Sequence, residues 1–273
     1  MKRPLASLLL NAVLIACAIV TVAPLLWMVS ASLMPAGEAT SLPPRLLPTS
    51  PTLAHYGTLF TRLNLTRYFS NSLLIAVSAT ALSLIINAMA GYAFAKLRFR
   101  GRDRLFRTLL IGLVVPVQVA MLPLFLLMKS MGLVNTYWGV IIPSMSSIFG
   151  IFLVRQYAIS IPDDLLDAAR IDGAGEGRIF WSLVMPALRP ILATLALFMF
   201  MSSWNDFMWP LIVLSDDRLY TLPVALANLS GEHVQDTELM MAGSVITVMP
   251  VLGLFLLLQR EYMRGVFVGS LKD

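Results

Sequence analysis

The sequence predicts an all-α membrane protein with six transmembrane helices and one structured polar loop. Three observations carry that prediction. The 273 residues are 58% hydrophobic and 13% charged, with a mean hydropathy of +0.80, whereas a soluble domain carries about 25% charged residues. Apolar runs long enough to cross a bilayer core, about 20 residues each, recur along the chain. Lysine and arginine collect at the ends of these runs and mainly on one side. The one cysteine, Cys17, lies inside an apolar run, so there is no disulfide framework and no cysteine metal site. The net charge of +5 reads as an orientation signal. With no soluble basic domain or motif, nucleic-acid binding is excluded.

The elements follow in order. Met1-Lys2-Arg3 precedes a first span at about 5–33. That run exceeds the ~7–15 residues of a signal-peptide core and lacks a small-x-small cleavage site, so it reads as an uncleaved helix. A loop at 34–69 contains Pro35, Pro43, Pro44, Pro48 and Pro51, a density that prevents a continuous helix. The second span, 69–96, ends on a run of cations, Lys96, Arg98, Arg100, Arg102, Arg104 and Arg107, with only Asp103 opposing them. Spans three and four cover 106–128 and 136–157; Pro143 in the latter is tolerated where neighbouring helices satisfy the backbone. A polar stretch at 158–186 leads to a fifth span, 187–213. An acidic loop at 214–238 and a sixth span at 239–259 complete the set. Fifteen lysines and arginines fall on the side of the termini and the 158–186 loop, against five on the other. The positive-inside rule therefore places both termini and 158–186 in the cytoplasm, and 214–238 outside.

The 158–186 stretch carries helix signals that a mere linker does not need. Ser160 is a candidate N-cap, Pro162 fits a first turn, and Asp163 and Asp164 favour the positive end of a helix dipole. Leu165, Leu166, Ala168, Ala169 and Ile171 give a mixed apolar surface, and Gly173 suits the left-handed residue that ends a helix. The helix is about ten residues, roughly 15 Å. A second helical stretch holds Ile179, Phe180, Leu183 and Val184, before Pro186 and Pro190. Small residues at Ala168, Ala169 and Gly173 let another surface approach closely. An interfacial helix that only connects two spans has the same pattern, and the physical reading leaves both open.

Asp167-Ala168-Ala169-Arg170-Ile171-Asp172-Gly173-Ala174, with Pro186 beyond it, resembles the EAA loop of ABC-importer membrane subunits. The pattern there is E-A-A-x-x-D-G-A, then I-x-L-P and a further proline. Asp167 stands where the family usually has Glu, and Met185 where it usually has Leu. Three further segments are similar to permeases of carbohydrate importers of the maltose type: Ala90 to Gly101, Gly132 to Trp138 leading to Pro143, and Trp204 to Pro210. The tail from Arg264 to Asp273 is also similar. The resemblance covers nearly the whole chain and points to the smaller, six-span permease, a single domain over 1–273 with the type I importer fold.

The resemblance implies that Asp167, Ala168, Ala169, Asp172, Gly173 and Ala174 form a coupling helix docking on a cytoplasmic ATPase. The implied partners are a sister permease in a heterodimer, two ATP-binding cassette subunits, an extracytoplasmic solute-binding protein and membrane lipid. ATP and Mg would bind in the ATPase, with no cofactor, metal or catalytic site on this chain. The residues agree, since none of the four lysines follows a glycine and no GxxxxGK[ST] phosphate loop exists. Trp204, Asn205 and Asp206, about 25–28 Å into the fifth span, have two readings: an aromatic belt at headgroup level, or a lining of the solute pathway. Asn87 in the second span has two readings, a contact to a helix neighbour or to solute. His55 and His233 are the only histidines, both in outside loops, and offer no catalytic pattern. The competing reading is a stand-alone carrier or channel driven by an ion gradient. It wants ionisable groups near the bilayer midplane and internal repeats, which the sequence lacks.

Overall fold

A computed structural model of the chain describes residues 3–43, 45–232 and 236–270, with side chains over 7–43, 45–228 and 236–259. Lys2, His233, Lys272 and Asp273 lie outside the described residues. All regular elements among those described are helical. In order they are α1 (Arg3–Ala31), α2 (Ala54–Thr61), α3 (Leu65–Lys96), α4 (Arg102–Ile111), α5 (Val117–Ser130), α6 (Tyr137–Ser144), α7 (Ile148–Ala158), α8 (Asp163–Ile171), α9 (Glu176–Ile179), α10 (Met185–Ala187), α11 (Arg189–Trp204), α12 (Met208–Val213), α13 (Leu222–Glu232) and α14 (Thr237–Ser270).

Three described helices are long and apolar enough to cross a membrane alone, within α1, α3 and α14. Three bent pairs raise the number to as many as six. Residues Arg102–Val114 and Val117–Ser130 meet at 107°, Tyr137–Ser144 and Ile148–Ala158 at 40°, and Glu176–Ala187 and Arg189–Trp204 at 79°. The expected spans at 106–128 and 136–157 are therefore broken helices. At the first break Val115 is extended (φ −79°, ψ 117°), because the ring of Pro116 disfavours the helical region for the residue before it. The second break follows Pro143 and restarts at Ser147, whose hydroxyl accepts the Gly150 N–H, an N-cap. The expected fifth span, 187–213, is also interrupted: α11 stops at Trp204 and a separate α12 begins at Met208. Irregular backbone inside a membrane is tolerated where it is buried in protein or lines a wet cavity.

The chain forms two compact units. In the first (residues 1–66 and 225–250), Ala31, Met34 and Ala39 pack with Trp27 and Met241. Buried Glu238 accepts the Ala39 N–H at 2.7 Å, and a ring nitrogen of His55 lies 2.9 Å from the Met34 carbonyl. Residues of α1 are bare: Leu9, Ile15, Ile19 and Val20 are all more than half exposed, as a helix solvated by lipid requires.

In the second unit (67–224 and 251–273), α3 packs on α7 and α11. A Cβ at Gly91 would lie 2.6 Å from Val154 Cγ1 and 2.7 Å from its Cβ, so the missing side chain is what lets the two backbones approach. Asn87, fully buried, donates to Ser83 Oγ at 2.7 Å and accepts the Ser147 N–H at 3.1 Å. Of its two readings the helix neighbour is the one the contacts match, and it pins the restart of the broken α6/α7 span. Asn71 does similar work, donating to the Arg218 and Tyr220 carbonyls at 2.9 Å.

Candidate functional site

The polar loop folds as a short helix anchored at both ends. Ser160 does not cap it: the hydroxyl donates to the Tyr157 carbonyl at 2.7 Å, and α8 starts at Asp163 with Pro162 before it and no side-chain cap. The start of α8 is held instead from α3. Lys96 Nζ donates to the Ile159 carbonyl (3.2 Å), the Ile161 carbonyl (2.6 Å) and Asp163 Oδ1 (2.7 Å). That ammonium ties the end of α7 and the start of α8 to the end of α3. Its hydrogen bond holds the Asp163 carboxyl below the ordinary carboxylate value.

At the other end Gly173 has φ +80°. The Ala174 N–H donates to the Ala169 carbonyl and the Gly173 N–H to the Arg170 carbonyl, both at 3.0 Å. These two bonds make a Schellman motif, which satisfies carbonyls that the helix end would leave unpaired. Beyond it, Arg170 Nε donates to Glu176 Oε1 at 2.7 Å and its Nη1 to Asp167 Oδ1 at 2.6 Å. The two carboxylates, Glu176 foremost, push the guanidinium pKa up. Tyr92 on α3 donates to Glu176 Oε2 at 2.8 Å, so the Asp167–Arg170–Glu176 chain also ends on α3.

Burial sorts the six expected contact residues. Leu166 (1% exposed) points inward beside Ile161, Ile179, Phe180 and Tyr92, and Ala169 and Ala174 pack against the same core. Asp167, Ala168, Asp172 and Gly173 are exposed. So are Leu165 and, at 87%, Ile171. Burying Leu166 stabilises the loop by about 1.5–3 kcal/mol, more than the ~0–1 kcal/mol of each exposed ion pair. The outward surface of α8 is thus Leu165, Ala168, Ile171 and Asp172, with the carboxylate of Asp167 turned along the helix to Arg170.

Trp204, Asn205 and Asp206 part company at the end of α11. Trp204 is buried (1% exposed), stacked on Phe200 with centroids 5.7 Å apart and edge-on to Phe69 at 5.5 Å. It is a packing residue and, unlike Asp206, does not line the cavity that Asp206 faces. Asn205 is exposed. Asp206 accepts the Trp209 N–H at 3.3 Å and lines a cavity of about 540 Å³. The helix breaks supply much of that lining: Val115 and Val117 from the α4–α5 break, Ser144, Ser146 and Ser147 from the α6–α7 break, and Asp206 from the α11–α12 break. Ser202, Ser203 and Trp209 add further polar and aromatic surface. The indole of Trp209 donates to the Gly139 carbonyl at 3.0 Å, which fixes the ring. In the sequence Trp209 stands only as part of the Trp204–Pro210 segment and of an aromatic belt, and nothing there marks the serines; breaks meeting at one place are a tertiary fact.

Residues 87–262 match the family described as binding-protein-dependent transport system inner membrane component. That stretch is well over half of the chain, and it includes both the α8 loop and the cavity segments. The chain belongs to this permease family. Among relatives of the permease, the arabinooligosaccharides transport system permease protein AraQ of Halalkalibacterium halodurans is 39% identical over 278 residues, covering 100% of both chains. The lactose transport system permease protein LacG of Rhizobium radiobacter is 35% identical over 78% of each chain. A solved structure of a bacterial ABC transporter involved in the import of the acidic polysaccharide alginate has a chain of the same fold. The TM-score is 0.84 at 26% identity, covering 96% of the permease and 98% of that chain. The permease is thus an all-helical transmembrane component of a binding-protein-dependent ABC importer in the inner membrane, and not itself an ATPase. A gradient-driven carrier is not favoured.

Proposed function

We propose that the permease carries a sugar or sugar-like solute inward through a path that includes the 540 Å³ cavity, driven through α8 by a separate ATPase. The observation that carries the proposal is the outward surface of α8. An isoleucine 87% exposed on a helix capped by a Schellman turn and fastened to α3 is a rigid apolar point with nothing of its own to cover it. Such a point suits a groove in a partner chain. Asp167, Ala168, Asp172 and Gly173 lie on the exposed side; Ala169 and Ala174 set the spacing of α8 from its own core. The ATPase pair holds ATP and Mg, closes on binding nucleotide, and moves α8 with it. A sister permease completes the pathway and an extracytoplasmic binding protein supplies the solute. With fifteen cationic residues on the loop side, α8 and both termini face the cytoplasm.

Relatives named for arabino-oligosaccharides and lactose support a sugar. So does the cavity: five serine hydroxyls, one carboxylate and an indole face suit a polyhydroxylated ring. The test is Ile171→Asp in the assembled importer. The variant inserts normally, fails to co-purify with the ATPase and loses uptake by tenfold or more, about 1.4 kcal/mol or more of binding. Uptake at the wild-type rate would overturn the docking role of α8.

A further inference from the structure

We infer that the α3–α4 turn is a binding surface for anionic phospholipid headgroups. No arginine of this turn forms an ion pair with α8, and none lines the 540 Å³ cavity. It forms a recess of about 590 Å³ lined by Arg98, Phe99, Gly101, Arg102, Asp103 and Arg104. Arg102 is occupied, donating to Asp103 Oδ1 at 3.1 Å and to the Leu97 carbonyl at 3.3 Å. Arg98, Arg100, Arg104 and Arg107 are exposed and form no ion pair among the described residues. Asp103 is the sole carboxylate of the recess, and Arg102 takes it. Four guanidinium groups within ten residues therefore have no ion-pair partner among the described residues.

The neighbouring apolar groups say what kind of partner supplies it. Phe99 is 43% exposed and Leu105 is 52% exposed, interleaved with the arginines. At the end of α4 and just beyond it the exposed residues turn apolar, with Ile111 at 68% and Val114 at 81%. Phosphate-seeking cations next to exposed apolar side chains at the end of a span fit a headgroup boundary better than an acidic protein face, which would leave Phe99 and Leu105 in water. Guanidinium groups bind phosphate oxygens in pairs of parallel hydrogen bonds, and a cluster of this size beside a span is attracted to anionic lipid.

The full chain is reconstituted in nanodiscs of phosphatidylcholine with a minor share of phosphatidylglycerol, then extracted gently, and the retained lipid is weighed by mass spectrometry. Phosphatidylglycerol is enriched over its bulk share. Replacing Arg98, Arg100 and Arg104 together with Gln removes most of the enrichment, since each cation contributes roughly fivefold. The same three positions as Lys keep part of it, and Arg45→Gln with Arg62→Gln, on the other side, leaves it unchanged. In the wild type the enrichment falls between about 0.01 M and 1 M ionic strength, a readout independent of any variant. Enrichment that survives the Gln substitutions, or that ignores salt, overturns the proposal. So does a Gln variant that keeps its lipid but loses the ATPase, which would make the turn a protein-docking face.

Discussion

Gly173 sits at φ +80° with no atom within 4 Å of where a Cβ would stand. A substitution there meets no clash and costs only backbone strain, about 1–2 kcal/mol for most L residues. Gly173→Val therefore loosens the Schellman turn, while Gly173→Asn, which tolerates the left-handed region, costs less. Limited proteolysis at 170–178 ranks the three chains: wild type slowest, Asn intermediate, Val fastest. Asp163 gives a pH signature at the same scale. Its carboxyl titrates below the ordinary 3.8 when folded because Lys96 donates to it. A folded pKa lower than the unfolded one means that its stabilisation is present at pH 7 and disappears as pH falls through the folded value. Wild type is therefore more resistant to unfolding than Asp163→Asn at neutral pH. The difference shrinks as pH falls from about 4 through the lower folded value, as thermal melts in detergent across that range would record.

At the scale of elements, the joint between α3 and α7 rests on an absent side chain. Gly91→Ala would put a Cβ 2.7 Å from Val154 Cβ and 3.0 Å from the Arg155 backbone nitrogen. Overpacking of that kind costs about 1–3 kcal/mol. Adding Val154→Ala removes the Cγ1 contact at 2.6 Å but keeps the Cβ and backbone ones, so the double variant recovers only part of the loss in melting temperature. Full recovery would show that the backbones do not approach as closely as 3.0 Å implies. The apolar runs made the spans legible in the sequence, since length and hydropathy suffice to say that a segment enters a bilayer. They do not say where it bends. Pro116 and Pro143 were visible, but whether a proline kinks, breaks or merely starts a helix depends on what satisfies the freed backbone. At the α6/α7 break that partner is Asn87, sixty residues away. The short helices α2 and α13 were hidden for a related reason: prolines and polar residues around them read as loop, and tertiary packing decides such short elements.

At the scale of the whole molecule, the α8 loop and the cavity are linked by a rod. Ala79 lines the cavity and Asn87 holds one of its serines, while Tyr92 and Lys96 grip the loop. The span from Ala79 to Lys96 is about 25 Å of uninterrupted α3. The sequence showed the loop because its residue types and spacing are local. It counted Lys96 only as an orientation charge, because nothing local reveals that its ammonium folds back onto two carbonyls and a carboxylate. That contact yields the last prediction. Lys96→Met keeps the aliphatic stem but leaves the Ile159 and Ile161 carbonyls and Asp163 without their shared cation. The outward surface of α8 is untouched, so the ATPase still assembles with the permease. What is lost is the stiffness with which α8 pulls on α3. In proteoliposomes with the full importer, ATP hydrolysis then continues while solute carried per ATP falls severalfold. Ile171→Asp loses assembly and uptake together. If Lys96→Met kept its transport ratio, the pull would have to travel through Tyr92 and Glu176 or through the packed core around Leu166, and Glu176→Gln in the same assay would separate those two.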